Sequence, residues 1–148
     1  MQQGAPRGKR KEDYIRAIYD LQRSRGSVRV KDVSEVLGVS MPTALEELRR
    51  LSHEGLVSYD RGSVSLTSEA ISMAESLERK REILVEFLEV VLGADREEAE
   101  RIACYMEHLV GDDLVERARR LAELAAECGW FSGILERARE GRATCEDH

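Results

Sequence analysis

Apolar side chains recur at helical spacing from the beginning of the chain. One stripe predicts a first helix over residues 9–23. After the extended stretch GSVRV, a second stripe predicts a short helix in KDVSEVLGVS that ends at Gly38. The first stripe consists of Tyr14, Ile15, Ile18, Tyr19 and Leu21, and the second of Val33, Val36 and Leu37, all expected to face inward.

A third helix is predicted over MPTALEELRRLSH, after the three-residue turn GVS. Ser40 can cap this helix, and Pro42 lies in its first turn, where the missing N–H costs little. Gly55 is expected to end it. The stripe that predicts its buried face consists of Ala44, Leu45, Leu48 and Leu51.

The segment LVSYDRGSVSL changes to the alternating pattern of strands. Val57 and Tyr59 alternate on one side of the tetrapeptide DRGS, and Val64 and Leu66 alternate on the other. A glycine in a short polar turn between two alternating runs is typical of a β-hairpin. We therefore predict a hairpin that turns at residues 60–63.

The rest of the chain returns to helical spacing. One long helix is predicted over residues 68–92, closed by Gly93, and Asp95 with Glu98 predicts the start of the next helix by a capping box. A further helix is predicted from Asp112 or Asp113 to Gly129, and FSGILERARE predicts a last short one.

This order of elements predicts a mainly α protein with an N-terminal winged helix-turn-helix, followed by an all-helical dimerisation domain. The boundaries are expected at residues 1–70 for the DNA-binding domain, 71–141 for the helical domain and 142–148 for a frayed tail.

Composition places the chain among soluble helical proteins, with 35% charged, 42% apolar and 5% aromatic residues. No apolar run approaches the roughly 20 residues of a membrane span, so no membrane partner is expected. The segment MQQGAPRGKRKEDY has no apolar signal core. We expect a cytoplasmic protein whose three cysteines, Cys104, Cys128 and Cys145, stay reduced.

The net charge of −6 is unevenly distributed. Residues 1–70 carry 12 basic and 10 acidic side chains, a net of +2, whereas residues 71–148 carry 11 and 19, a net of −8. A basic arm, formed by Arg7, Lys9, Arg10 and Lys11, opens the first half. Such asymmetry indicates that a polyanion meets the N-terminal half.

Double-stranded operator DNA is the predicted polyanion, because the third helix would be the reading helix of the motif. Its exposed face and N-terminal end, with the hairpin tip and Lys31, supply the candidates for base and phosphate contacts. These are Lys31, Ser40, Met41, Pro42, Thr43, Glu46, Arg49, Arg50, Arg61 and Gly62. The alternative is a solvated helix face, in which Glu46 pairs with Arg50 instead of accepting a hydrogen bond from cytosine.

The hexapeptide ACYMEH carries a thiol, a carboxylate and an imidazole at Cys104, Glu107 and His108. The spacing i, i+3, i+4 places them on one helical face, centred roughly 140° from the apolar stripe and pointing outward. Together these donors suit a borderline divalent transition metal and disfavour magnesium or calcium. The alternatives are ordinary exposed side chains, an oxidation sensor at Cys104, or a thiol enzyme that uses Cys104 and His108, although no catalytic motif supports an enzyme.

Residues 12–110 resemble the metal-dependent repressors of the diphtheria-toxin-repressor and manganese-transport-regulator type. The resemblance rests on EDYIRAIYDL, VKDVSEVLGVSMPTALEELRRLSHEGLV, GSVSLTSEA, RKREILVEFLEVVLG and ACYMEH, in this order. It implies a homodimer that binds operator DNA when metal is bound and thereby regulates genes of metal-ion homeostasis. The chain ends too early for the SH3-like third domain of some relatives, so a short form is expected.

Carried over by residue, the resemblance implies Asp13, Cys104, Glu107 and His108 as metal ligands. Four positions depart from the family pattern at further ligand slots: Arg16, Arg81, Val85 and Glu100. A second metal site is therefore not expected. Bound metal would tie the first helix to the dimer half and set the two reading helices about one turn of DNA apart.

The thiolate of Cys104 predicts which metal acts. It favours Fe²⁺, Co²⁺, Ni²⁺ and Zn²⁺ over the harder Mn²⁺. Because availability in a reducing cytoplasm matters as much as affinity, we expect Fe²⁺ as co-repressor, with Mn²⁺ next and Co²⁺, Ni²⁺ or Zn²⁺ binding in vitro.

Overall fold

The computed structural model describes the backbone of residues 7–141 and the side chains of residues 11–141. The basic side chains at positions 7, 9 and 10 and the predicted tail at 142–148 lie outside these described residues. The elements in chain order are α1 (Arg7–Arg25), β1 (Val28–Arg29), α2 (Val30–Leu37), α3 (Met41–His53), β2 (Val57–Asp60), β3 (Ser63–Leu66), α4 (Ser68–Leu92), α5 (Arg96–Met106), α6 (Asp112–Glu127) and α7 (Gly129–Arg139).

The fold class predicted from the sequence is confirmed: helices dominate, and the strands form a small sheet. The chain divides into two compact units between Ser76 and Leu77, within α4. Among the described residues, no helix is both long enough and apolar enough to cross a bilayer.

The first unit packs α1, α2, α3 and the beginning of α4 around one apolar core with the sheet. Ile15 and Ile18 of α1, Val33 of α2 and Leu48 and Leu51 of α3 are fully buried in this core. The predicted inward face of α2 is wrong in one position, because the Val36 side chain is 58% exposed. The stripes of α1 and α3 are confirmed.

The turn between α2 and α3 has the predicted three residues. Gly38 ends α2 in the left-handed conformation, with φ of 64°, and its N–H donates to the carbonyls of Ser34 and Glu35. Ser40 caps α3 by accepting a hydrogen bond from the N–H of Thr43, and Pro42 lies in the first turn. These local contacts fix where the reading helix begins.

The predicted hairpin is confirmed as the wing of the motif. β3 lies between β1 and β2, antiparallel to both, and Asp60 pairs with Ser63 across the turn. Arg61 and Gly62 both have positive φ, 48° and 84°. Two consecutive residues with positive φ make the type I′ turn that matches the twist of a hairpin.

The second unit has its own, smaller core on one face of α4. Leu84, Val85 and Leu88 of α4 pack against Ala99 and Ala103 of α5. The small residues on α5 let the two helices approach closely. The predicted helix cap is confirmed, since the Asp95 carboxylate accepts a hydrogen bond of 2.8 Å from the N–H of Glu98.

Candidate functional site

The α3 helix presents one polar face to solvent. Ala44, Leu48 and Leu51 are buried in the first unit, whereas Thr43, Glu46 and Arg49 are exposed on the opposite side. Among the described residues, neither Glu46 nor Arg49 forms an ion pair. Both side chains are therefore available to groups outside the chain.

The N-terminal end of α3 is held in a defined arrangement. The hydroxyl oxygens of Ser40 and Thr43 lie 2.7 Å apart, and the Ser40 oxygen accepts the Thr43 N–H at 3.2 Å. Met41 is 47% exposed, and the Ser34 hydroxyl lies 3.4 Å from its sulfur. Cap and apolar side chain together form a rigid, exposed tip.

Arg50 differs from Arg49, because the protein itself holds its guanidinium. Nη2 and Nε donate to the Glu47 carboxylate, the latter at 3.1 Å, and Nη1 donates to Glu54 Oε1 at 2.6 Å. Lys11 Nζ in turn donates to Glu54 Oε2 at 2.9 Å. The Glu47 hydrogen bond raises the pKa of Arg50, and the Lys11 hydrogen bond lowers the pKa of Glu54. The side chain expected to reach phosphate therefore belongs to an intramolecular ion-pair network at the surface.

The remaining DNA-contact candidates lie on α2 and on the wing. Lys31 is exposed in the first turn of α2, with its Nζ 3.7 Å from the Glu35 carboxylate. Arg61 is exposed at the hairpin tip. A Cβ built on Gly62 would meet nothing within 4 Å, so the backbone of the tip is open on that side.

The ACYMEH segment does not form the uniform outward face that the sequence spacing predicts. The α5 helix ends at Met106, and the chain continues as a turn through His108. Cys104 is exposed, but Glu107 is only 2% exposed and belongs to the interior. The expectation of three outward-pointing donors is therefore wrong for Glu107.

The Glu107 carboxylate lies beside a guanidinium from α4 and the imidazole of the next residue. Arg81 Nε lies 3.5 Å from Glu107 Oε2, and His108 Nε2 lies 3.4 Å from Glu107 Oε1. A buried carboxylate is stable only when opposite charge and hydrogen-bond donors surround it. Each Glu107 oxygen thus has a different polar neighbour.

Metal–ligand fit can be judged from these distances. A divalent ion with ligand bonds of about 2.0–2.2 Å holds adjacent donors about 3 Å apart. The separation of 3.4 Å between Glu107 Oε1 and His108 Nε2 is close to this value. Across the described residues, no three His, Cys, Asp or Glu side chains are arranged to hold an ion together. The pair fits one metal ion, and further donors would have to move towards it.

Asp13 and two of the departing positions, Val85 and Glu100, have the following surroundings. Asp13 is half-buried on α1, in the first unit. Val85 is buried in the second core, and Glu100 is exposed and accepts a 2.8 Å hydrogen bond from Arg96. Within the described residues, the Glu100 carboxylate is thus engaged by Arg96.

Sequence reasoning missed that Glu107 is buried and that Arg81 is its partner. The burial of Glu107 was missed because the sequence argument used the average direction of three donor side chains. At 100° per residue, Glu107 lies only about 40° from the buried Ala103. The i, i+4, i+8 series Ala99, Ala103, Glu107 was the signal that could have shown it.

A winged helix-turn-helix followed by a helical unit is typical of a DNA-binding regulator. Two family models match the chain. The DNA-binding domain of iron dependent repressors matches residues 8–63, and their metal binding and dimerisation domain matches residues 67–131. The chain belongs to this family of metal-dependent transcriptional repressors, the DtxR/MntR family, whose members are regulators and not enzymes. The thiol-enzyme interpretation is thereby excluded.

Individual relatives agree with this assignment. The chain is 38% identical over 110 residues to the transcriptional regulator MntR of Escherichia coli O6:H1, covering 73% of this chain and 70% of the relative. It is 34% identical over 116 residues to the diphtheria toxin repressor of Corynebacterium glutamicum, covering 76% and 49%. A solved manganese-dependent transcriptional repressor in complex with manganese aligns with TM-score 0.67 and 34% identity, covering 76% and 52%. The chain thus spans about half the length of the latter two proteins.

Proposed function

We propose that the protein is a homodimeric, cytoplasmic transcriptional repressor that binds operator DNA when a divalent metal ion is bound and so controls genes of metal-ion homeostasis. The observation that carries the metal requirement is the pair of Glu107 and His108, whose donor atoms lie 3.4 Å apart within the domain that matches the family's metal binding module. The exposed polar face of α3 carries the DNA-binding function.

In this proposal, α3 enters the major groove by its N-terminal end. Met41, Pro42 and Thr43 would contact base edges there, with Ser40 holding the hydroxyl of Thr43 in place. Glu46 would accept a hydrogen bond from a cytosine amino group, because no cation of the described chain engages its carboxylate. Arg49 would bind phosphate, together with Lys31 and the wing tip at residues 61–62.

A comparison of Arg49 with Arg50 tests which side chain of α3 contacts the DNA phosphates. We expect Arg49→Gln to weaken binding to every DNA sequence and to reduce the slope of log K against log salt by roughly 2 for the dimer, at about 0.9 per phosphate contact. Arg50→Gln should leave the slope unchanged, because Glu47 and Glu54 already hold the guanidinium. Fluorescence anisotropy across a salt series measures both slopes. Equal slope losses in the two variants would show that Arg50 leaves its carboxylates to bind phosphate.

We propose a second copy of this chain as the occupant of the apolar surface on α6. Leu114, Leu121 and Leu124 are exposed there by 56%, 45% and 58%. A groove of about 320 Å³ lies beside them in the second unit. Its apolar lining comes mainly from α4, α5 and α6: Leu84, Phe87, Met106, Val110, Leu114 and Leu121. So much exposed apolar surface indicates an interface, and the matching family domain is a dimerisation domain.

For the metal, we propose Glu107 and His108 as central ligands, with Cys104 and Asp13 as additional ones. When bound, the ion would supply a divalent charge shared by carboxylate, imidazole and thiolate donors. Fe²⁺ is the proposed co-repressor and Mn²⁺ the next, because the exposed Cys104 offers a soft ligand. Co²⁺, Ni²⁺ and Zn²⁺ are expected to bind in vitro.

A metal panel tests the proposed function. We expect operator affinity to fall at least tenfold with chelator and to be restored anaerobically by Fe²⁺ at lower concentration than by Mn²⁺. Cys104→Glu should reverse this order, because a carboxylate is the harder ligand. Anisotropy with a selected operator measures each affinity, and a peroxide-treated sample tests oxidation sensing. Equal operator affinity with chelator and with every metal would refute metal control. If Cys104→Glu still responds to Fe²⁺ at lower concentration than to Mn²⁺, the Cys104 thiolate does not select the metal.

A further inference from the structure

The buried Glu107 carboxylate lies between two unlike groups. Its Oε1 faces His108 Nε2 at 3.4 Å, and its Oε2 faces Arg81 Nε at 3.5 Å. The Arg81 side chain is 29% exposed, whereas that of Glu107 is 1% exposed. A guanidinium keeps its proton at every pH at which proteins are folded, so this cation is permanent.

A second α4 cation fixes the other end of the same turn. Lys80 Nζ donates to Asp112 Oδ1 at 2.7 Å and lies 3.4 Å from the Val110 carbonyl oxygen. The Lys80 hydrogen bond lowers the pKa of Asp112. Residues 107–112 are thus attached to α4 by two consecutive basic residues. The protein's own charges therefore position the turn that carries Glu107 and His108.

A metal ion bound by Glu107 and His108 would contact Oε1 of Glu107, while Arg81 would remain beside Oε2. The ion and the guanidinium would then share one carboxylate from opposite oxygens. Like charges a few ångströms apart repel strongly in a partly desolvated site, where screening by water is incomplete. The carboxylate also offers less negative charge to the ion when Arg81 already neutralises part of it.

We propose that Arg81 is a built-in cation of the metal centre, which lowers the affinity of the centre for its metal ion. The inference rests on the proposed metal site. It assigns to Arg81 the role of setting the metal concentration at which the repressor responds. Arg81 does not bind the metal; it competes with the metal for the charge of Glu107.

The test uses the dimer of this chain and its variants Arg81→Gln, Arg81→Lys and Arg79→Gln, titrated calorimetrically with Co²⁺ and with Mn²⁺. Arg81→Gln retains a hydrogen-bond donor and loses the charge, so its Kd for metal should be at least tenfold lower than that of the wild type. Arg81→Lys keeps the charge and should stay within threefold. Arg79→Gln removes an exposed charge two residues away on α4, and it should also stay within threefold.

A thermal melt separates this role from a merely structural one. In chelator, Arg81→Gln should unfold at a lower temperature than the wild type, because Glu107 loses a countercharge. Added Co²⁺ should raise its Tm by more than it raises that of the wild type. Where Arg81→Gln fails to fold, Arg81→Met supplies the uncharged side chain for the same titration.

One result would overturn the inference: metal binding by the uncharged variants that is no tighter than that of the wild type. The proposed function fails by a different result, namely operator binding that no metal enhances. The Arg81 inference is decided by the Kd values alone, so the two failures are distinguishable.

Discussion

Glu107→Gln is expected to raise the metal concentration needed for operator binding by about 100-fold or more. Changes to groups that merely support a metal ligand cost about 10–100-fold in affinity, so loss of an anionic ligand itself should reach at least the upper value. The amide has the size of the carboxylate and keeps one oxygen near His108. The half-exposed Arg81 can be hydrated when its anion is removed. The variant should therefore fold and dimerise.

Glu100→Gln is the matched control for this prediction. It makes the same chemical change on α5, at an exposed residue whose carboxylate pairs with Arg96. Its metal response should equal that of the wild type. Anisotropy measured against metal concentration, with circular dichroism to verify folding, compares the two variants. An unchanged metal midpoint in Glu107→Gln would contradict Glu107 as a ligand.

Leu121→Glu is expected to convert the dimer into a monomer and to weaken operator binding by about 10²–10⁴-fold, the avidity gained when two binding modules are linked. Leu121 is 45% exposed in the monomer and lines the apolar groove of the second unit. A carboxylate at this position would be desolvated in the proposed interface without a partner. In the free monomer it would remain hydrated, so folding should be retained.

Leu92→Glu provides the control, because Leu92 is 60% exposed but does not line the groove. Sedimentation velocity should show a dimer for the wild type and for Leu92→Glu, with and without chelator. Leu121→Glu should sediment as a monomer in both conditions. A stable Leu121→Glu dimer would show that the interface lies on another surface. A wild type that dimerises only with metal would show that metal controls dimerisation.

The two halves of the candidate site differ in how far the sequence predicted their arrangement. Thr43, Glu46 and Arg49 lie on the exposed face of α3, as the spacing of Ala44, Leu48 and Leu51 predicts. The metal-ligand face was less well predicted. The spacing predicted an exposed Glu107, because a periodic pattern treats a carboxylate as a polar surface group, whereas the side chain is buried.

Sequence alone determined the order of the elements and several of their ends, because these depend on residues close together in the chain. Gly38 in its left-handed conformation, the Ser40 and Asp95 caps, and the turn at Arg61 and Gly62 all act within a few residues. The winged helix-turn-helix follows from that order, and so does the family resemblance.

Tertiary structure decided which charges are available for function. The Arg50 guanidinium pairs with Glu47 and Glu54, and Glu54 is tied in turn to Lys11 of another helix. Glu107 became an interior group because Arg81, distant in sequence, supplies a countercharge. The reason is physical: helical periodicity specifies the direction of a side chain, whereas the stability of a buried or paired charge depends on partners that only folding brings within a few ångströms.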